Sequence, residues 1–230
     1  LYVTNNSSKT KNVEDAIEKF NSNNLGNRYS ARVYWLNDIQ DLYYDEPLEK
    51  KKSLKYEIES INNGTVINID SGNYGMEVAI DAKYVCTPIL NLYDLYRKAD
   101  RDNYPIFDAN IRDYLGTSGA VNKGIAATLS SEDRNNFFYY NNGITMIVKK
   151  IGKPKTKTRD SSTYLSIEIT DPQIVNGCQT VSTIYETLSA LPESKLRELY
   201  HDTFVMLKIL EIPKDTEEYQ KLSEDIVKYN

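Results

Sequence analysis

Apolar and polar residues alternate along Tyr164-Leu-Ser-Ile-Glu-Ile-Thr170, the period-two pattern of a half-buried strand. Further on the period changes. Val181, Ile184, Tyr185 and Leu188 recur at helical spacing, so a helix is predicted there. Between the two patterns lies Asn176-Gly177-Cys178-Gln179-Thr180, and Asn-Gly is the dipeptide that most readily takes positive φ. The predicted product is a strand, a tight turn and a helix whose first N–H groups face out beside Gln and Thr side chains. Such an element suits an anion or a nucleotide phosphate. An ordinary βα turn carries the same pattern, so both readings stand at this point.

The same punctuation recurs upstream. Phe137-Phe-Tyr-Tyr-Asn-Asn-Gly-Ile-Thr-Met146 sets Asn141, Asn142 and Gly143 between an aromatic run and a strand at Ile144–Val148, as a hairpin turn or a helix-to-strand cap. Thr65–Asp70 and Met76–Ile80 read as strands joined by a hairpin loop, Ser71-Gly-Asn-Tyr-Gly75. Thr87 and Pro88 form an N-cap and N1 pair for a helix with Leu92, Leu95 and Tyr96 on one face. Phe204–Ile209 is a further strand, ended by Pro213, and Glu217–Tyr229 is an amphipathic helix with Leu222, Ile226 and Tyr229 in register. Near the start, Leu1–Thr4 and Ala31–Leu36 read as strands, with helices at Val13–Phe20 and Asn37–Tyr43. The expected class is α/β: a mixed β-sheet with helices packed on it, preceded by a small βαβα segment. The boundary is placed between residues 1–62 and 63–230.

Four blocks resemble one known family. They are Asn110-Ile-Arg-Asp-Tyr-Leu-Gly116, the helix pattern Val121-Asn-Lys-Gly-Ile-Ala-Ala-Thr-Leu129, the aromatic Asn-Asn-Gly-Ile-Thr turn, and Gln173-Ile-Val-Asn-Gly-Cys-Gln-Thr180. In order and spacing, over about residues 76–230, they are similar to the abortive infection phage resistance (AIPR) family. That resemblance implies antiviral defence by abortive infection in a bacterial host. Residues 1–46 resemble the C-terminal end of an Mrr-type restriction endonuclease domain. This implies a linker helix after it, and a parent protein with metal-binding carboxylates and a catalytic lysine before Leu1. Magnesium would be that nuclease's cofactor; none is expected in residues 1–230 themselves. An opening without methionine and an uncapped end at Asn230 are what a segment of a longer protein would show. A looser likeness links the strand–Asn-Gly-Cys-Gln-Thr–helix element to ParB-like proteins, whose Asp-Gly-Gln-His-Arg turn engages nucleotide phosphate. Gln179 and Thr180 stand where those proteins carry histidine and arginine, which speaks against nucleotide hydrolysis.

Composition narrows the classes. A chain of 230 residues can bury a sizeable core. No run of eighteen apolar residues or secretory leader is present, and two cysteines without metal spacing fit a reduced, cytoplasmic setting. The single histidine, His201, reads as an exposed residue at a helix end. A net charge of −5 argues against a uniformly phosphate-binding surface. A local basic segment remains: Lys149, Lys150, Lys153, Lys155, Lys157 and Arg159, broken by Gly152 and Pro154, reads as a mobile loop open to a nucleic-acid backbone. Lys50, Lys51, Lys52 and Lys55, flanked by Glu49, Glu57 and Glu59, read as an exposed charged helix. The nineteen tyrosines fit core packing better than base stacking.

Catalysis by this segment has thin support. Asp70 with Asp81-Ala-Lys83 has the outline of a magnesium nuclease motif, at a spacing common by chance. No P-loop sequence is present, and burial is the expected fate of Cys178, despite a helix N-terminus that would lower a thiol pKa. The candidate site is one polar cleft formed by Asn110, Arg112, Asn122, Asn142, Gly143, Asn176, Gly177, Gln179 and Thr180. Arg112 would be its charged anchor for phosphate, unless it pairs with Asp108 or Asp113. The expected function is nucleotide or nucleic-acid binding that regulates an attached nuclease. The alternative is a scaffold or sensor that recognises a phage component or its own copies. Helix caps and a buried polar network would account for the same residues without a ligand.

Overall fold

The computed structural model describes residues 11–22, 31, 33, 52–75, 78–107, 120–213 and 216–229, the side chains of residues 120 and 121 excepted. Two units divide the chain, residues 1–52 and 53–230. In the first, helix α1 is Lys11–Ser22, as the stripe of Val13, Ile17 and Phe20 predicts. The Asn21 side chain pairs with the backbone of Ala31 in both directions, at 2.9 and 2.8 Å. Apart from Ala31 and Val33, the strands expected at 1–4 and 31–36 and the helix at 37–43 lie outside the described residues.

In the second unit the first strand, β1, is Lys55–Glu59. A helix was expected from its charges. The charged residues Lys55, Glu57 and Glu59 in fact alternate with Tyr56 and Ile58, which turn inward, and Ile58 is fully buried. Period two outweighs charge density here, because one strand face is solvated and the other is core. Residues 53–62 thus pack with the second unit. Asp171, in a left-handed turn with φ 52°, fixes their start: its carboxylate accepts from Ser53 Oγ at 2.7 Å and Leu54 N at 2.9 Å.

Two sheets follow. Strands β2 (Val66–Ile69), β3 (Ala82–Pro88), β4 (Ile144–Val148), β8 (Gln173–Asn176) and β9 (Phe204–Glu211) form a five-stranded mixed sheet ordered β2-β3-β9-β4-β8. Only the β4–β9 pair in it is parallel. The chain leaves this sheet after β4 to build β5 (Lys150–Ile151), β6 (Lys155–Arg159) and β7 (Ser162–Thr170). These pair with β1 in a second, antiparallel sheet around β7. The hairpin expected at 65–80 is displaced: β2 pairs with β3, described residues 78–80 are not strand, and the loop contains a 3-10 turn at Ser71–Asn73 capped by Asp70.

Helices α2 (Ile89–Arg101), α3 (Ala120–Leu129), α4 (the single turn Phe137–Tyr140), α5 (Cys178–Ser189), α6 (Glu193–Tyr200) and α7 (Glu217–Tyr229) complete the unit. Thr87 is not the cap of α2. It ends inside β3, fully buried, and donates to the Glu59 carbonyl at 2.7 Å, while Pro88 takes the cap position. Leu92 and Leu95 are fully buried, each contributing about 1.5–3 kcal/mol by leaving water. They join one core cluster with Ile58, Ile167 and Ile169 of the small sheet and Met146, Ile174, Leu207 and Ile209 of the large one. Tyr93 and Tyr96 of α2 meet Tyr185 of α5 at 5.7 and 4.5 Å. On the other face of the large sheet, Ile226 and Val227 of α7 pack on Ala82, Ile147, Val175 and Leu210. The expected mixed α/β architecture holds, with two sheets instead of one.

Candidate functional site

The two Asn-Gly turns, more than thirty residues apart in sequence, touch. The turn after β8 is fed by Gln173–Asn176, with Gly177 as the N-cap of α5 at φ 88°. A Cβ on Gly177 would lie 2.7 Å from Ile144 Cγ1 and 3.4 Å from the Gly143 carbonyl. Gly143 itself has φ 87°, and a Cβ there would come within 2.9 Å of the Met206 carbonyl. Glycine is therefore required twice, by conformation and by space. The cause is strand order: β4 begins beside the end of β8, with Thr145 opposite Asn176, so both corners share one edge of the sheet.

The side chains there divide into two kinds. Asn141 is the helix-to-strand cap: its Oδ1 accepts from Gly143 N at 2.9 Å, and its Nδ2 donates to Thr180 Oγ1 at 3.2 Å. Thr180 is buried, 7 % exposed, so its hydroxyl serves this internal bond. Asn142 is exposed and Gln179 half-buried, and neither amide has a hydrogen-bond partner among the described residues. The α5 ladder starts with Val181 N on the Gly177 carbonyl at 2.9 Å, which leaves the N–H groups of Gln179 and Thr180 ahead of it. Tyr139 and Tyr140, 78 % and 62 % exposed, immediately precede this corner. Such a corner can offer backbone donors, two amides and two aromatic rings to a polar ligand.

Of the nine predicted site residues, Asn142, Gly143, Asn176, Gly177, Gln179 and Thr180 belong to this edge. Asn110 and Arg112 lie outside the described residues, as do Asp108 and Asp113. Asn122, at 1 % exposure on α3, is an interior residue. Helix α3 packs against α5. The sequence placed Asn141 in this turn but not in the candidate site, although Asn two residues before Gly is the signature of a side-chain-closed turn.

The basic segment is also corrected. Lys150 lies in β5 and Lys155, Lys157 and Arg159 in β6, while Lys149 and Lys153 lie between strands. Lys157 is ion-paired with Glu57, and Arg159 meets Glu59 at 3.1 Å, both across β7. The Lys157 ammonium holds the Glu57 carboxyl below its usual range, and the Lys157 pKa rises in return. Lys149, Lys150, Lys153 and Lys155 remain exposed.

Other candidate chemistry has local explanations. Asp70 Oδ1 accepts from Gly72 N at 3.0 Å, Asp81 Oδ1 from Ser71 Oγ at 3.2 Å, and Lys83 Nζ donates to Asn68 at 2.6 Å. Among the described residues no cluster of three His, Cys, Asp or Glu side chains could hold a metal ion, and no helix is long and apolar enough to cross a membrane. Cys178 is buried on the sheet, its Sγ 3.3 Å from the Ile174 carbonyl. His201 caps α6 in the open, with Nε2 2.9 Å from Asp202.

Comparison with curated proteins and with solved structures finds no match. A family model described as AIPR protein matches residues 107–230, more than half of the chain. That span contains both Asn-Gly corners, α3 and α5. The chain belongs to the AIPR, or abortive infection phage resistance, family, which gives it a role in antiphage defence.

Proposed function

We propose that the double Asn-Gly corner binds a nucleotide or a short stretch of nucleic acid, and that occupancy controls a nuclease carried by the same protein. The observation that supports this is the meeting of the turns at 141–143 and 176–177 on one sheet edge, with Asn142 and Gln179 turned toward solvent. The N-terminus of α5 favours a phosphate, and the amides of Asn142 and Gln179 suit a base edge or sugar. Arg112 is retained as the charged anchor on sequence grounds. The regulated nuclease is the Mrr-type domain that residues 1–46 resemble, with magnesium as its cofactor; self-association and contact with a phage component belong to the same reading.

The test is a thermal-shift screen of nucleotides and short oligonucleotides. A ligand at a hundred times its Kd stabilises by about 2.7 kcal/mol, roughly 5–10 °C for a unit of this size. Asn142→Ala with Gln179→Ala should leave the unliganded melting temperature unchanged and abolish the shift; Arg112→Ala should do the same if it anchors phosphate. No shift with any nucleotide or oligonucleotide sinks the proposal. One observation favours a scaffold instead: the Asn141–Thr180 bond uses polar groups of this corner internally. A scaffold gives no shift but a partner complex in pull-downs, lost on replacing Tyr139 and Tyr140.

A further inference from the structure

Away from the Asn-Gly edge, a cleft of about 800 Å³ opens between β1, the β6–β7 hairpin, α2 and the end of α6. None of Asn122, Asn142, Gly143, Asn176, Gly177, Gln179 and Thr180 lines it. Its volume is in the range of built ligand sites. Its charge is lopsided. Six carboxylates line it (Glu57, Glu59, Asp94, Asp160, Glu193 and Asp202) against the arginines Arg97, Arg159 and Arg197, the imidazole of His201 and, from outside the lining, the Lys157 ammonium on Glu57. One guanidinium is shared by two acids: Arg97 lies 2.7 Å from Asp94 and 3.4 Å from Glu193. Burial pushes the Asp94 carboxyl above its usual range even with the Arg97 guanidinium beside it.

Neutral donors are built into the same wall. Tyr93 is 7 % exposed, and its hydroxyl has no hydrogen-bond partner among the described residues. Asn91 is 9 % exposed; its Oδ1 accepts from Glu59 N at 3.0 Å, while its Nδ2 has no partner among them. Neither donor is among the side-chain atoms sealed from water without a partner, so both reach the solvent of the cleft and can donate to an acceptor that enters it. Burial raises the Tyr56 hydroxyl far above its ordinary range and keeps it a donor too. The tyrosine faces accept guanidinium groups: Arg97 stands 5.3 Å from the Tyr93 ring and Arg159 4.9 Å from that of Tyr164.

We propose that this cleft binds a basic peptide segment of a partner protein, its arginine or lysine side chains on the carboxylates and its carbonyls on Tyr93 and Asn91. Carbonyl acceptors beside cationic side chains are what a peptide supplies. A polyphosphate chain would meet the same carboxylates and be repelled. The site is independent of the nucleotide reading given above.

Fluorescence anisotropy on the full chain tests it, with a labelled peptide of alternating arginine and glycine. A glutamate–glycine peptide and a single-stranded oligonucleotide of equal length serve as comparisons. The arginine peptide should bind. Its Kd should rise at least tenfold in Asp94→Asn with Glu193→Gln and several-fold in Tyr93→Phe. It should stay within twofold in Glu14→Gln with Asp15→Asn, which removes the same charge from exposed positions of α1. Should the first pair fail to fold by its melting curve, Tyr93→Phe decides alone. Absence of binding, equal loss in the α1 control, an unaffected Tyr93→Phe, or tighter binding of the oligonucleotide at this cleft would each overturn the proposal.

Discussion

At Gly177 the φ of 88° and the 2.7 Å approach of Ile144 Cγ1 both exclude a side chain, and at Gly143 the obstacle is a backbone carbonyl that cannot rotate away. Gly177→Ala and Gly143→Ala should therefore each lose about 2 kcal/mol or more, read as a lower urea midpoint with an unchanged slope. Equal stability of either variant would mean that the two corners do not press together. Asn-Gly was legible as a turn from sequence alone, because positive φ is a local property. Which carbonyl or methylene group sits over each glycine was not legible, because Ile144 and Met206 arrive from strands set by the whole sheet.

Helices and strands differed in how openly they declared themselves. Helix α7 and strand β4 fall at the residues their patterns predicted, Glu217–Tyr229 and Ile144–Val148. The charged elements did not. Lysines 149–157 read as a loop, yet β6 pairs with β7 and its Lys157 finds Glu57, a residue one hundred positions earlier. Such pairing is long-range and leaves no mark in the local pattern. It does leave a pH signature. The Glu57 pKa is lower in the folded chain than in the unfolded one, so the pair's contribution is present above the ordinary glutamate value of about 4.3 and fades as pH falls through the folded value. The Lys157 pKa is raised, so the same contribution fades again as strongly alkaline pH passes through its folded value. Both groups are solvent-facing, so the effect is small and salt-sensitive. Glu57→Gln should flatten the acid side of the melting-temperature profile, and an unchanged profile would remove the pair from the account.

Over the whole molecule, the second unit is held by one core that joins both sheets, and β1 is part of it through Leu54 and Ile58. A chain beginning at residue 63, where sequence placed the boundary, loses the two buried apolar side chains Leu54 and Ile58 and the β1–β7 ladder. It should be less stable than one beginning at Ser53 by at least about 3 kcal/mol from apolar burial alone, measured by denaturant unfolding of the two. Similar stability would return the boundary to residue 62.

Local chemistry along the chain was enough to announce the glycine turns, the amphipathic helices and, through the order of four blocks, AIPR kinship, since each of these depends on neighbours a few positions away. Three-dimensional packing alone decided that the two amide corners abut, that Asn122 is interior, that Lys155–Arg159 is a paired strand, and that six acids and two unpartnered donors face a common cleft. Strand order brings distant residues together, and strand order is settled by competition among all possible pairings and burials, a quantity no short window of residues contains.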